Sequence, residues 1–347
     1  INGEILKMKI GFMRNNKNPT ELAKLVSITS KSYGIDVIYL RPKDVDMLNG
    51  KVSGKIFINN KWIQIQTELP KFIDISRFCF KRKNREIINY LRENTILSDD
   101  GRISFNKKRL QEKLSEDPKF KNLVIPSKIA NEFDDILNFV EDYKKIVLKP
   151  VSGQFGDGIY ILIKDDKNYR LLFKDNEEIL SKQEIHNFFN EKIKGKRYLI
   201  QKYINSKTKQ GYPFDCRINV EKNGKGEWET ARKFIRIGIG QKVVSNISQG
   251  GGVSNVKPFL KTNFGDKWKR IINDLDEIAN TLPYKIEQLR ETKLMTLGID
   301  IGIDSDGKVY LFETNSAPGT TQLRAEVALL RAQYYNFVLN NYVKNIE

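Results

Sequence analysis

The segment GIDIGIDSDGKVYLFETNSAPG, residues 298–319, constrains what this chain can fold into more than any other stretch. Apolar and non-apolar residues alternate on both sides of Asp306-Gly307, a dipeptide suited to the positive φ angles of a two-residue hairpin turn. With those two residues as the turn, Ser305 pairs with Lys308, and counting outward sets Asp300 opposite Glu313. Side chains paired in this way have Cβ atoms ~5 Å apart, and like charges there repel, so the pair calls for compensation. Asn315, two residues beyond Glu313, shares their face and adds a neutral oxygen. Two carboxylates and an amide are hard oxygen donors, the set Mg²⁺ takes when it also holds phosphate oxygens. The other face, with Ile299, Ile301, Ile303, Tyr310 and Phe312, is expected to pack inward. An ordinary surface hairpin with acids on its wet side has the same spacing.

The second informative stretch is KKIVLKPVSGQFGDGIYILIKD, residues 144–165. Two β-branched, apolar runs flank SGQFGDG, so a strand enters the glycine-rich loop and a strand leaves it. A Walker A loop and a Rossmann loop both open a helix instead. A glycine loop between two antiparallel strands is the arrangement that covers ATP phosphates in protein kinases, because backbone N–H groups without a Cβ approach oxygens closely. Ser152, Gly153, Gly156 and Gly158 supply that loop, and Lys149 ends the incoming strand within reach of the α- and β-phosphates.

The rest of the chain is consistent with an α/β (α+β) protein. KIGFM and IDVIYL read as strands around a helix opened by Asn18-Pro19-Thr20 and stopped at Gly34, followed by a hairpin turning at Asn59-Asn60. A lysine-rich helix runs from Asn106 to about Leu114, and NEFDDILNFVEDY forms another. KRYLIQKYI reads as a strand, and FDCRINVEKNGKGEWETARKFIRIGIG as paired strands turning at Asn223-Gly224. Alternation puts Asp215, Arg217 and Asn219 on one face. VSNISQGGGV follows, with Asn246 shortly before three glycines. Two helices, one over KWKRIINDLDEIANTLPYK and a shorter one to Leu294, precede the hairpin, and a closing helix spans about Thr321 to Tyr342.

Composition bounds the partners. The 347 residues carry 60 Lys and Arg against 43 Asp and Glu, a net charge of +17. The lysines are dispersed and there is no arginine-rich arm, so an anionic substrate ranks first, general composition second and nucleic acid third. No apolar run reaches the ~20 residues of a membrane span, and the first residues lack signal-peptide architecture. Cys79 and Cys216 lack metal-ligand spacing and read as buried thiols of a reducing, cytoplasmic compartment. His186, the one histidine, reads as part of an amphipathic helix.

An Asp, a Glu thirteen residues on, then x-Asn-x-x-Pro-Gly resembles the metal-binding end of the ATP-grasp superfamily, which contains carboxylate–amine ligases. The resemblance extends from about residue 104 to 345. W-E-T-A-R-K, V-S-N-x-x-x-G-G and L-G-I-D-I-G-I-D look most like the endospore coat-associated members. It implies two antiparallel-sheet lobes enclosing ATP (residues 104–347) behind a small α/β N-terminal domain (1–103). Asp300, Glu313 and Asn315 would hold two Mg²⁺ ions. Lys108 would bind the nucleotide and Lys149 and the glycine loop its phosphates, while Gln201, facing the exocyclic amine, with Lys202, Tyr203 and Ile204 would surround adenine. Arg217, Arg236 and Asn246 would lie beside the γ-phosphate and acyl group. Two departures stand out: no Glu occupies the usual ribose position in NSKTKQGYP, and Gly298 stands where some ligases carry an arginine. The implied activity is ADP-forming ligation through an acylphosphate. It would join a carboxylate-bearing amino acid or acidic peptide to the amine of a peptide or amino acid. A nucleotide-binding coat or scaffold protein and a phosphotransferase are the alternatives.

Overall fold

The structure, a computed structural model, describes residues 8–101, 107–151, 158–174, 176–238 and 251–343; for residues 107 and 108 it describes the backbone. The first unit contains β1 (Met8–Met13), α1 (Glu21–Lys31), β2 (Ile35–Leu40), β3 (Val45–Asp46), β4 (Lys51–Ile58), β5 (Lys61–Glu68), β6 (Phe72–Ile75), α2 (Arg85–Asn94) and β7 (Ile96–Leu97). Its sheet runs β3-β4-β2-β1-β6-β7, with β5 on β4. The Thr20 hydroxyl caps α1 by accepting from the Ala23 N–H. The β4–β5 hairpin turns where expected, with positive φ at both Asn59 and Asn60.

The second unit comprises α3 (Lys107–Ser115), β8 (Ser127–Ile129), α4 (Phe133–Tyr143), β9 (Lys145–Pro150), β10 (Tyr160–Lys164), β11 (Tyr169–Phe173), β12 (Asn176–Leu180), α5 (Lys182–Phe188) and β13 (Tyr198–Lys202). Its antiparallel sheet, ordered β12-β11-β10-β9-β13-β8, packs one face on α4 and α5 through Ile146, Leu148, Leu162 and Ile200. The alternate residues Val147, Lys149, Leu199 and Gln201 therefore share the opposite face.

The third unit holds β14 (Phe214–Lys222), β15 (Trp228–Ile237), β16 (Gly252–Asn255), α6 (Val256–Phe264), α7 (Trp268–Arg290), β17 (Thr296–Ile303), β18 (Val309–Asn315) and α8 (Arg324–Val338). Its antiparallel sheet is ordered β16-β15-β14-β17-β18. Cys216, Ile218, Val220, Ile299 and Ile301 pack on α6 and α7. On the opposite face, α8 packs between this sheet and the first unit, with Ala328, Tyr335 and Val338 in the core around Ile10 and Phe72. The two expected antiparallel lobes behind an α/β unit are present.

Two expectations change. The two helices expected before the hairpin, the first ending at Lys285, are one: α7 runs through Pro283 to Arg290. A proline there costs about 3 kcal/mol, but its neighbours Leu275, Ile278, Leu282 and Ile286 continue one buried stripe, and each such side chain contributes about 1.5–3 kcal/mol by burial. The sequence reading also lacked α6. Both cysteines are buried free thiols, as expected. Among the described residues, no helix is long and apolar enough to cross a membrane.

Candidate functional site

The hairpin β17–β18 brings Asp300 opposite Glu313, but not by the expected route. Its turn is a three-residue loop closed by Asp304 and Lys308, with Gly307 at φ +78°. The Asp304 carboxylate accepts from the N–H groups of Asp306 and Lys308 at 3.0 and 2.9 Å, which favours this loop over the two-residue turn. The resulting register pairs Ile303 with Val309 and Ile301 with Leu311, one residue off the expectation. A β-bulge then takes up one extra residue and restores the Asp300–Glu313 pair. Two departures from the simple hairpin cancel at the carboxylates.

The shifted register corrects the inward face. Val309 and Leu311 join Ile301 and Ile303 in the core, whereas Tyr310, with Phe312 against it, joins Ile125 and Ile204 in a separate cluster. Gly302 makes this possible, since a Cβ there would stand 2.0 Å from the Phe312 ring. Tyr310 and Phe312 thus meet Ile204, just beyond β13, so the hairpin and the second sheet converge on one crevice.

The compensation for paired acids comes from β14 and β15. Arg217, opposite Asp300 in the register, chelates it through Nε and Nη2, the latter at 2.8 Å. Arg236, opposite Asp215, chelates that carboxylate at 2.6 and 2.8 Å and approaches Asp300 at 3.1 Å. Burial works to raise the Asp300 pKa, but Arg236 and Arg217 outweigh it and hold the carboxyl below its ordinary value. Nη1 of each arginine makes no hydrogen bond within the described residues. Gly298 stands where an arginine was missing: a Cβ there would lie 2.8 Å from Pro318 and 3.5 Å from Arg217 Nη1. Space that a residue-298 side chain would occupy is filled by Pro318 and the Arg217 guanidinium. Asp215 was placed on this face by alternation but given no role; only the cross-strand register identifies it as the partner of Arg236.

Among the described residues, no three His, Cys, Asp or Glu side chains gather into a ready metal cage. The candidate donors are Asp300, Glu313 and Asn315. The Asn315 amide nitrogen lies 3.5 Å from Asp300, which orients its oxygen away from that carboxylate. Three hard oxygen donors on one hairpin face fit Mg²⁺, which keeps several positions for water and phosphate oxygens.

On the second sheet, Lys149 donates to Gln201 Oε1 at 2.7 Å. The Gln201 oxygen thereby accepts one bond, and its buried Nε2 has no partner among the described residues. That oxygen keeps a second lone pair for an exocyclic amine, the expected role, while Nε2 is a donor suited to a ring nitrogen or phosphate oxygen. Lys202 donates its N–H to the Pro126 carbonyl at 3.0 Å. Pro126 has no N–H to return the bond, which leaves the Lys202 carbonyl for a donor such as an exocyclic amine. The Ile204 carbonyl accepts from Ser206 at 2.8 Å. Burial pushes the Tyr203 hydroxyl up to about 12, and Lys145 sits 3.8 Å from the centre of its ring. Burial, with Lys207 and Arg170 nearby, lowers Lys145 to about 8. Gly158 has φ +73°, and a Cβ there would meet the Tyr198 hydroxyl at 2.8 Å. Ser152, Gly153, Gly156 and Asn246 lie outside the described residues, as does the side chain of Lys108.

A family model described as "YheC/D like ATP-grasp" matches residues 100–340. The endospore coat-associated protein YheC of Bacillus subtilis (strain 168) is 26% identical over 322 residues, covering 89% of this chain and 88% of the relative. YheD of the same organism is 24% identical over 311 residues, covering 86% and 67%. Among solved structures, the ATP-grasp ligase PsnB complexed with minimal precursor, Mg and ADP matches with a TM-score of 0.56. Its identity is 11%, covering 94% of this chain and 98% of that one, a likeness of fold.

Proposed function

The chain belongs to the YheC/D-like ATP-grasp family, and on that premise we propose that it is an ADP-forming carboxylate–amine ligase. The observation that carries this reading is the pair of arginines beside the Asp300–Glu313 hairpin, each holding a carboxylate with two nitrogens while its third makes no hydrogen bond among the described residues. Their placement suits a reaction in which negative charge builds on phosphoryl and acyl oxygens.

In the proposed reaction a substrate carboxylate oxygen attacks the γ-phosphorus of ATP, the bond to the β–γ bridging oxygen breaks, and ADP leaves. The amine nitrogen of the second substrate then attacks the acyl carbon, inorganic phosphate departs, and the amine proton passes to solvent. Lys149 and the Gln201 amide would bind ATP as donors, the Lys202 carbonyl would accept from adenine, and Tyr203 and Ile204 would wall the base. Arg217 and Arg236 would hold the acyl and phosphoryl oxygens through Nη1, with Asn246 beside them. Two Mg²⁺ ions held by Asp300, Glu313 and the Asn315 oxygen would supply neutralisation of phosphate charge. No side-chain nucleophile is needed, and burial pushes both cysteine thiols up, away from thiolate chemistry. Residues 1–103 would form the N-terminal domain and 104–347 the catalytic unit. Association with the endospore coat, which the names of the Bacillus relatives carry, is proposed for this chain as well.

The test is incubation with Mg·ATP and a pool of amino acids and peptides, followed by mass spectrometry. A ligase yields ADP, phosphate and amide in equal amounts. AMP would indicate adenylation, phosphate retained on an acceptor would indicate a phosphotransferase, and no turnover a nucleotide-binding scaffold; each overturns the reading.

A further inference from the structure

Between the first unit and the segment that follows the hairpin lies a cavity of about 620 Å³, within the size range of small-molecule sites. One wall is the chain from Ser316 to Thr321, so the cavity begins one residue beyond Asn315. The first unit grips this wall: Arg77 donates to the Ser316 hydroxyl at 3.1 Å. The candidate reaction centre and the cavity are thus joined by continuous chain.

The charges lining it do not cancel evenly. Asp74 is met by Arg14 at 3.0 Å and Arg331 at 3.1 Å, and Arg331 also holds Glu221, so two cations face two carboxylates. Asp99 is paired with Arg290 at 3.1 Å. What remains is Lys81 from the first unit and Arg324 from the first turn of α8, neither with an ion-pair partner among the described residues, against the single exposed carboxylate of Glu21.

We propose that this cavity binds the acidic substrate of the ligation, a carboxylate-rich amino acid or short acidic peptide, with Lys81 and Arg324 holding its anionic groups while the reacting carboxylate reaches the arginines beyond Asn315. The proposal rests on the ligase reading and names the place and charge of its donor. Lys81 supplies a point charge from the N-terminal unit, and Arg324 a planar fork suited to carboxylates. The first unit then has a chemical task, since Arg14 to Leu22, Asp74 to Lys81 and Ser98-Asp99 supply lining residues of the cavity.

The experiment uses the full chain with Mg·ADP and fluorescein-labelled tri-glutamate or tri-lysine, followed by anisotropy. The parent is expected to bind tri-glutamate at least tenfold more tightly than tri-lysine. Lys81→Glu with Arg324→Glu should remove that preference, with ADP affinity and thermal melting unchanged. The paired control Lys61→Glu with Lys167→Glu makes the same change in net charge at exposed lysines away from the cavity, and should leave the preference intact. Equal loss in both double variants would assign the binding to the general field of a +17 protein and overturn the site. So would tri-glutamate binding indifferent to the Lys81 and Arg324 changes, or no binding by the parent. Failure to bind ADP while the tri-glutamate pattern holds would sink the ligase reading and leave the anion site standing.

Discussion

Two arginine–carboxylate networks occupy opposite ends of one face of β14. At the first end Arg217 and Arg236 meet Asp215 and Asp300; at the second Arg331 and Arg14 meet Glu221 and Asp74. Both are buried, and each balances two cations with two anions. They differ in how completely the donors are used. Arg331 engages all three guanidinium nitrogens, Nε and Nη2 on Glu221 and Nη1 on Asp74, while Thr296 and Tyr335 donate to the same carboxylates at 2.6 Å. Arg217 and Arg236 each leave Nη1 unbonded among the described residues, next to a half-buried glutamate and an amide. Buried ion pairs alone are therefore a poor sign of a site. The saturated network ties α8 and β14 to the first unit; the other keeps two Nη1 groups without a hydrogen bond among the described residues.

The largest effect is expected from Arg331→Met. It strands Glu221 and part of Asp74 in the interior, and breaking a buried pair from one side costs roughly 3–5 kcal/mol. Denaturant unfolding should show that loss, while ADP affinity of the folded fraction stays near the parent value. A loss below about 1 kcal/mol would mean that the saturated network does not hold the units together, and the contrast would fail.

Next comes Glu313→Gln, which keeps the shape of the hairpin and removes one charge from the first end. Turnover of Mg·ATP is expected to fall about 100-fold or more, at least ~2.7 kcal/mol in barrier, with stability changed by less than about 1 kcal/mol. Parent-like turnover would remove the hairpin from the chemistry.

The smallest effect sharpens what the networks share. Burial raises the pKa of both Asp300 and Asp74, but their arginines outweigh it and hold both carboxyls below the ordinary value. The unfolded chain then takes up these protons first as pH falls. The stability each contributes is present above about pH 4 and is lost as pH drops through the lower folded values. Asp300→Asn should make this acid decline shallower by up to one proton, about 1.4 kcal/mol per pH unit. Unfolding curves collected between about pH 2 and pH 5 that run parallel for parent and variant would show that Asp300 is not held in this way.

Much of the candidate site was legible because it is local. Asp300, Glu313 and Asn315 share a face through strand alternation, and their oxygen chemistry follows from residue type. Alternation likewise grouped Asp215 with Arg217. Tyr310 and Phe312 were misplaced because period-two counting assumes an unbroken ladder, and one bulge reverses every side chain beyond it. The bond between Lys149 and Gln201 was not legible, because the two residues lie 52 positions apart.

The amino-acid sequence by itself determined the alternating hairpin, the glycine loop between two strands, and the match that places residues 100–340 in a family. These rest on spacing within a few tens of residues, where turn chemistry and side-chain period leave few choices. Only the tertiary structure decided that Arg217 and Arg236 keep a nitrogen unbonded among the described residues and that Arg331 does not. The bonds that consume Arg331 reach 110 and 257 residues along the chain. Whether a guanidinium is saturated depends on which distant carboxylates the packed sheets bring to it, and no local pattern records that. The cavity beside Ser316 has the same origin: its walls come from both ends of the chain and meet only when α8 packs against the first sheet.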